Sequence, residues 1–379
     1  MVNDKLKILR VLSWNISFIA VAVIIMELIF GSWLPWKTID PILLFSQPRN
    51  VNISFQTPWG LAKYSRDSYG LRGLGSKIKD VRIVSVGGST TDQRYIDDKD
   101  TWSEVLEGCV SNSHTVEVVN AGVDGQTTFG HIKSLQQWLS KIDNLHPQYL
   151  LFYVGVNDWF LKKEKVLQDT SLLKKSQWAH NSALYAAYTH SKNFFNKRKE
   201  REPAHTFRSA EIHILSMPPN ATDVGVHSIL EKQHDMKNAK KPKNAFLQFD
   251  LNTLALRIQT LIDESHKMES VPIFVSQRTA LWGHYQGKIY GRKALSFPQE
   301  YKTLSALSPM TGIDFFNLER VQAEIIKNTC EMSSDECLFI DAGLVPFDMK
   351  KDFYDDFHNT PEGSKRLGNF ICSELKSLI

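Results

Sequence analysis

The chain has only four cysteines in 379 residues, no strong excess of either charge, no internal repeat, and one long apolar run. Its cysteines and histidines show none of the paired spacings that bind zinc, so no metal is expected. Lysine and arginine total 45 against 41 acids, a formal net charge of +4. With no RNA- or DNA-binding motif, that balance argues against a nucleic-acid partner. Basic residues do gather at Lys192–Arg201 and Lys237–Lys243. These runs would favour an anionic surface or polymer, or else mark a solvated insertion. Hydrophobic residues at 42% and charged residues at 23% are ordinary for a globular protein. The length admits one large domain with additions.

The apolar run itself lacks two things. Val11 to Leu34 is almost wholly apolar, broken by Asn15 and Glu27, and its length suits a bilayer span of about 20 residues. It has neither the shorter apolar region nor the small-residue cleavage site of a secretory signal peptide. Residues 1–35 are therefore expected to form a cytoplasmic start and an uncleaved signal anchor. Lys5, Lys7 and Arg10 precede the span, which keeps the N-terminus in the cytoplasm and the rest of the chain outside, periplasmic or lumenal. Trp33 and Trp36 fall at the outer end, where aromatic rings favour the interface. Glu27 is costly in lipid and should pair with another helix or lie near that interface. A buried core helix is the alternative, and it leaves the basic start and the tryptophan flank unexplained.

Four cysteines fit an oxidising compartment. Cys330 and Cys337 flank a polar loop and could form a local disulfide or stay as thiols. Cys109 and Cys372 fall on apolar helical faces and read as core residues. The triplets Asn52-Ile53-Ser54 and Asn220-Ala221-Thr222 could carry glycans in a eukaryotic secretory pathway.

Four polar signals follow apolar segments. Val81–Val86 reads as a buried strand and runs into Gly87-Gly88-Ser89, which would stand the Ser89 hydroxyl at the strand's carboxyl end, where ligands bind in open α/β sheets. Val116–Asn120 ends in a small-residue loop at Gly122, where a backbone N–H can approach a ligand closely. Tyr149–Val154 leads to Gly155 and then Asn157. Near the C-terminus Asp355 lies three residues before His358, just ahead of a helix start. Each block has a plain alternative. Ser89 could cap a helix, Asn157-Asp158 could be a turn pair, His358 could be a surface histidine next to a helix start, and Asp352 or Asp356 could replace Asp355. Together, the four blocks in this order point to chemistry.

These blocks resemble the SGNH (GDSL-like) hydrolases, a family named for a serine, glycine, asparagine and histidine in separated blocks. The match runs through Ser89, Gly122, Asn157 and His358, with Asp355 as the acid, and covers about residues 69–160 and 248–379. One departure is that Gly87-Gly88-Ser89 replaces the family's Gly-Asp-Ser. The resemblance implies a flavodoxin-like α/β/α sandwich on a parallel sheet of about five strands. It also implies a Ser89–His358–Asp355 triad, and an oxyanion hole from the N–H groups of Ser89 and Gly122 with the Asn157 amide. No cofactor is implied. A segment like Asp67–Gly73 precedes the serine block in many membrane-anchored bacterial members of the family. Arg72 there, and Arg278 after a later strand, are candidate substrate contacts, with a structural turn and a salt bridge as their plainer roles.

The expected division is an anchor at 1–35, a connector at 36–66 and a catalytic domain at 67–379, with an insertion at about 161–247. Within the domain, helices are expected over Trp102–Val110, Phe129–Ile142, Phe249–Met268 and Pro361–Leu378. Val271–Ser276 should be a fourth strand and Ile313–Phe316 a fifth. Glu211–Met217 is a lone strand-like run in the insertion, which could form a lid over the site. The implied activity is hydrolysis of O-acyl, chiefly O-acetyl, esters of a glycan or envelope polymer. Two alternatives are acyl transfer to a sugar hydroxyl and a non-catalytic polymer-binding or assembly role. A soluble cytoplasmic lipase is a third. Envelope-assembly proteins are candidate partners.

Overall fold

A computed structural model describes residues 2–30, 51–73, 77–111, 117–160, 182–184, 188, 228–229, 245–285, 288–291, 312–349 and 351–378. The chain forms two compact units, Met1–Ser46 with Ser171–Glu211, and Gln47–Thr170 with Ile212–Ile379. The smaller unit contains helix α1 (Val2–Phe30). Its stretch Ser13–Phe30, of mean hydropathy 2.0, is apolar and long enough to cross a membrane. Glu27 accepts hydrogen bonds from the Ser182 hydroxyl and the Ala183 and Leu184 N–H groups, at 2.7, 2.8 and 3.1 Å. The acid that interrupts the apolar helix is thus held by polar partners of its own unit.

The larger unit begins with an antiparallel hairpin, β1 (Val51–Thr57) and β2 (Gly60–Arg66). Next come β3 (Val81–Gly87), β4 (Glu117–Asn120) and β5 (Tyr149–Val154). β6 (Ser228–Ile229), β8 (Trp282–Tyr285) and β9 (Lys288–Gly291) make a small separate sheet. β7 (Val271–Ser276) and β10 (Leu338–Ile340) complete a five-stranded parallel sheet in the order β10-β7-β5-β3-β4. Read from β4, this is the doubly wound order 2-1-3-4-5, whose switch point lies between the first and third strands, here β3 and β5. In β3 only Arg82 is exposed. A strand covered on both faces has no solvent side to mark with polar residues, so Val81–Val86 is nearly continuous in apolar side chains.

Helices cover both faces. They are α2 (Ser89–Asp92), α3 (Trp102–Val110), α4 (Thr128–Gln137), α5 (Ala245–Lys267), α6 (Gly312–Met332) and α7 (Pro361–Leu378). On one face, Trp102 and Leu106 of α3 and Leu367, Ile371 and Leu375 of α7 pack on Ile83, Leu151 and Ile273. Each such buried aliphatic side chain contributes roughly 2 kcal/mol. α4, α5 and α6 pack together against the other face. Thr101 caps α3 by accepting from the Glu104 N–H. Pro361 opens α7, where its missing N–H costs nothing.

Four of the five expected strands, and the four expected helices (α3, α4, α5 and α7), lie close to where the sequence puts them. Ile313–Phe316 does not: it belongs to α6. Its apolar residues continue at three- and four-residue spacing through Ile326 and Cys330, all buried, so a helical period absorbs a short β-prone run. The fifth strand is β10, only three residues long. The stretch read as a connector over 36–66 also needs correction, because Val51–Arg66 is a hairpin within the larger compact unit. Cys109 and Cys372 are not simply core thiols. They form a disulfide between α3 and α7, Cα atoms 6.3 Å apart, across 263 residues of chain. Cys330 and Cys337 form the second disulfide. Most of the expected insertion, including Glu211–Met217, lies outside the described residues.

Candidate active site

Ser89 begins α2 directly after β3, with Gly88 at the cap position. Asn157 follows β5, and Gly122 follows β4. Three loops at neighbouring strand ends therefore meet at the switch point, and two glycines let them close. A Cβ on Gly88 would collide with Asn157 Nδ2, and one on Gly122 with the Thr91–Asp92 backbone of α2. Both loops therefore lie against the turn that carries Ser89. Gln277, at the end of β7, ties the same turn to β5. Its amide nitrogen donates to Thr90 Oγ1 at 2.6 Å, and its oxygen accepts from the Val156 N–H.

The histidine comes from the other end of the chain. His358 Nε2 lies 2.7 Å from Ser89 Oγ, and Nδ1 lies 2.6 Å from Asp355 Oδ2. Asp355 Oδ1 also accepts from the N–H groups of Phe357 and His358, each at 2.8 Å. A carboxylate fixed this way selects the tautomer in which Nδ1 carries the proton and Nε2 is free to accept from the serine. Burial acts to raise the Asp355 pKa, but the nearby imidazole and its hydrogen bonds hold it below the usual value. Burial acts to lower that of His358, but Asp355, with Asp124 and Asp356, lifts it above the usual value. The imidazolium that forms on proton transfer is thereby favoured.

The other two acids near His358 are placed differently. Asp352 is fully buried and accepts from Arg366 Nε at 2.8 Å and the Asp348 N–H at 2.6 Å. The Asp356 carbonyl accepts from the Ala280 N–H. Asp355 is the acid on the ring.

The expected oxyanion donors Gly122 and Asn157 lie against the turn that carries Ser89, and both already have partners there. The Gly122 N–H donates to Asn120 Oδ1 at 2.8 Å, and Asn157 Nδ2 donates to the Gln126 carbonyl at 2.8 Å. An amide nitrogen carries two hydrogens, so Asn157 keeps one for a ligand. Gly122 would have to share or release its partner.

Arg72 and Arg278 are corrections, because both are used up inside the protein. Arg72 is 5% exposed; its guanidinium donates to the Asp92 and Ile96 carbonyls and to Asp98 Oδ1. Arg278 is 2% exposed, lies 3.7 Å over the Trp282 ring and donates to the carbonyls of Trp282 and Val345. Sequence position put both near strand ends, but burial removes them as substrate contacts. The sequence reading missed Arg66, which donates to Asp92 and to the Gly122 carbonyl, and Tyr354, whose ring stacks on His358 at 5.5 Å. Arg66 closes β2 in a run of three buried residues, Tyr64, Ser65 and Arg66, and no apolar period in the sequence marks it.

A doubly wound sheet with a serine, a histidine and an acid hydrogen-bonded in series at its switch point is equipped for acyl chemistry through a serine, and the family match makes the protein a serine esterase. More narrowly, the chain belongs to the GDSL-like lipase/acylhydrolase family, whose model matches residues 83–371. Similar solved structures include an acetylxylan esterase from Geobacillus stearothermophilus, 11% identical, with 80% of this chain and 95% of that one covered at a TM-score of 0.38. A putative lipolytic protein of the G-D-S-L family from Desulfitobacterium hafniense is 12% identical, with coverage of 77% and 98% and a TM-score of 0.37. A psychrotrophic esterase from Pseudoalteromonas is 10% identical, with coverage of 79% and 98% and a TM-score of 0.38. No curated protein matches the sequence.

Proposed function

We propose that this esterase uses Ser89, His358 and Asp355 to remove O-acyl, chiefly O-acetyl, groups from a glycan or envelope polymer outside the cytoplasm. The observation that carries the reading is the unbroken Asp355–His358–Ser89 hydrogen-bond chain. Ser89 Oγ attacks the ester carbonyl while its proton passes to His358 Nε2. The carbonyl oxygen becomes an oxyanion, facing the Ser89 N–H and the spare Asn157 hydrogen, with Gly122 as a third donor once freed. As the intermediate collapses, the ester C–O bond breaks and the leaving oxygen takes the proton from His358. Water then attacks the acyl-serine by the same route and releases the acid. Asp355 orients the imidazole and stabilises its cation throughout.

Location rests on three supports. α1 is long and apolar enough to cross a membrane, and Lys5, Lys7 and Arg10 precede its most apolar stretch. Two disulfides, with no free cysteine among the described residues, favour an oxidising compartment. We therefore place the N-terminus in the cytoplasm and the esterase outside it, beside polymers whose hydroxyls carry acyl groups. The test is acetyl release from an O-acetylated polysaccharide by the full chain, with Ser89→Ala as control and fluorophosphonate labelling of Ser89. Release that depends on Ser89 supports the hydrolase. Transfer of acetyl to an added sugar without release would make the same acyl-enzyme an acyltransferase. Absence of labelling in folded protein would overturn the catalytic reading in favour of a polymer-binding one.

A further inference from the structure

We propose that the β1–β2 hairpin, which precedes the family match, is a positioning element of the active site: Arg66 clamps the loops carrying Ser89 and Gly122, and Trp59 braces the histidine loop through Tyr354. This rests on the reading of Ser89 as the nucleophile.

Arg66 is 1% exposed. Its guanidinium holds four partners: Nε donates to Tyr64 Oη at 2.6 Å, Nη1 to the Gly70 carbonyl at 2.6 Å, and Nη2 to Asp92 Oδ1 and to the Gly122 carbonyl at 2.8 Å. Asp92 is the last residue of the helix that Ser89 begins. Tyr64 Oη donates to the same Asp92 oxygen at 3.0 Å and closes the ring of bonds. One rigid, planar cation therefore spans from the serine helix to the glycine loop. A lysine, with a single point of charge on a flexible stem, cannot reproduce that fork. The Gly122 carbonyl is fixed by Arg66 and its N–H by Asn120, so both peptide planes flanking Gly122 are set. The plane ahead of Gly122 carries the N–H that would serve as third oxyanion donor, and by holding the plane that follows, Arg66 limits how far that N–H can turn when Asn120 releases it.

Stability alone is a weak explanation for this arrangement. A buried ion pair is often no more stabilising than well-packed apolar side chains of similar volume. Its particular contribution here is fixed geometry between two loops that must act on one oxygen. At the hairpin tip, Trp59 Nε1 donates to the Tyr95 carbonyl at 3.1 Å, and its ring lies 5.3 Å from that of Tyr354. Tyr354 stacks on the His358 imidazole with planes 12° apart, and its N–H donates to the His358 carbonyl at 3.0 Å. One hairpin thus reaches both halves of a site whose serine and histidine are 269 residues apart.

The test uses the full chain, p-nitrophenyl acetate as substrate and an alkyl boronic acid as a tetrahedral mimic. Arg66→Lys should lower kcat about 100-fold. KM should change by less than about twofold, since a lost transition-state contact leaves ground-state binding alone. Boronate affinity should fall in parallel, and the acid limb of the pH profile should stay in place. Tyr64→Phe, which keeps the ring and removes the two network bonds of the hydroxyl but leaves the Arg66 bonds to Asp92 and Gly122, should show the same pattern more weakly. Trp59→Leu should instead move the acid limb upward, because a more hydrated imidazole holds its proton more tightly. Unchanged kcat in folded Arg66→Lys and Tyr64→Phe proteins overturns the clamp. So does a loss that merely tracks the fraction of folded protein. Full hydrolysis by Ser89→Ala would overturn the esterase reading and the clamp together, so the two failures are distinguishable.

Discussion

Two groups of ionisable side chains stand at the carboxyl ends of the same sheet, and they differ in access to solvent. In the first, the His358 and Asp355 side chains are 25% and 16% exposed and aligned on the Ser89 hydroxyl. In the second, Arg278, Glu319 and Arg320 are buried behind β7 and β10. Glu319 accepts from Thr279 Oγ1 at 2.6 Å and Trp282 Nε1 at 2.7 Å, while Arg320 pairs with Asp341 at 2.7 Å. The second cluster has the richer charge, yet its partners are protein groups and its bonds hold loops in place. The first has an open side and a serine hydroxyl at its end. Charge near a strand end therefore does not identify a site; an accessible ring nitrogen aimed at a hydroxyl does.

The largest effects should separate the clusters cleanly. Asp355→Asn should cut kcat by about 10⁴-fold while the protein stays folded, because the imidazole is left in the wrong tautomer. Arg278→Met should do the reverse, costing about 3 kcal/mol of stability by stranding buried partners. Its kcat should remain near wild type in steady-state assays and its Tm should drop. A collapse of kcat in well-folded Arg278→Met would erase the distinction. Next in size, Asn157→Ala should lose about 10²–10³-fold in kcat with little change in melting, as expected for one oxyanion donor.

The disulfides sharpen the comparison on the stability side. Breaking Cys109–Cys372 with paired serines should cost about 2–5 kcal/mol, since a long closed loop restricts the unfolded chain most. Breaking Cys330–Cys337, whose sequence separation is seven, should cost less in the same denaturation experiment. The smallest effects are in pH. Burial pushes the Glu319 pKa up to about 7. The folded state then binds that proton more tightly than the unfolded one, so stability falls as pH rises from about 4.5 to about 7. Glu319→Gln should flatten that slope in denaturation curves across the range. In the open cluster, Asp124→Asn removes a negative neighbour that raises the His358 pKa. It should shift the acid limb of the kcat/KM profile to lower pH by a fraction of a unit. An acid limb that stays put would detach Asp124 from the histidine's surroundings.

Much of the site was legible because its residues follow strand ends. Ser89, Gly122 and Asn157 each come directly after a buried apolar run, and periodicity locates such runs. His358 and Asp355 were legible because they sit in a short polar block just before a helix start. Arg72 and Arg278 misled for the same reason: position at a strand end is visible in sequence, whereas enclosure by Trp282, Val345 and the Asp92 carbonyl is not. The hairpin was hidden by its place ahead of the matched blocks. Its alternation of exposed and buried residues is plain once Phe55 and Tyr64 are seen to pack with Tyr95. The Cys109–Cys372 pairing was illegible because it needs α3 and α7 to lie side by side.

The amino-acid order by itself determined the parallel α/β class, the apolar N-terminal helix and the residue types available for acyl chemistry. These follow from hydrophobic period and local spacing, which act over a few neighbouring residues. Only the tertiary structure decided which acid orients His358, which arginines are sealed away, and which cysteines meet. Those outcomes depend on distances and burial between segments hundreds of residues apart, and packing of the whole sheet sets them.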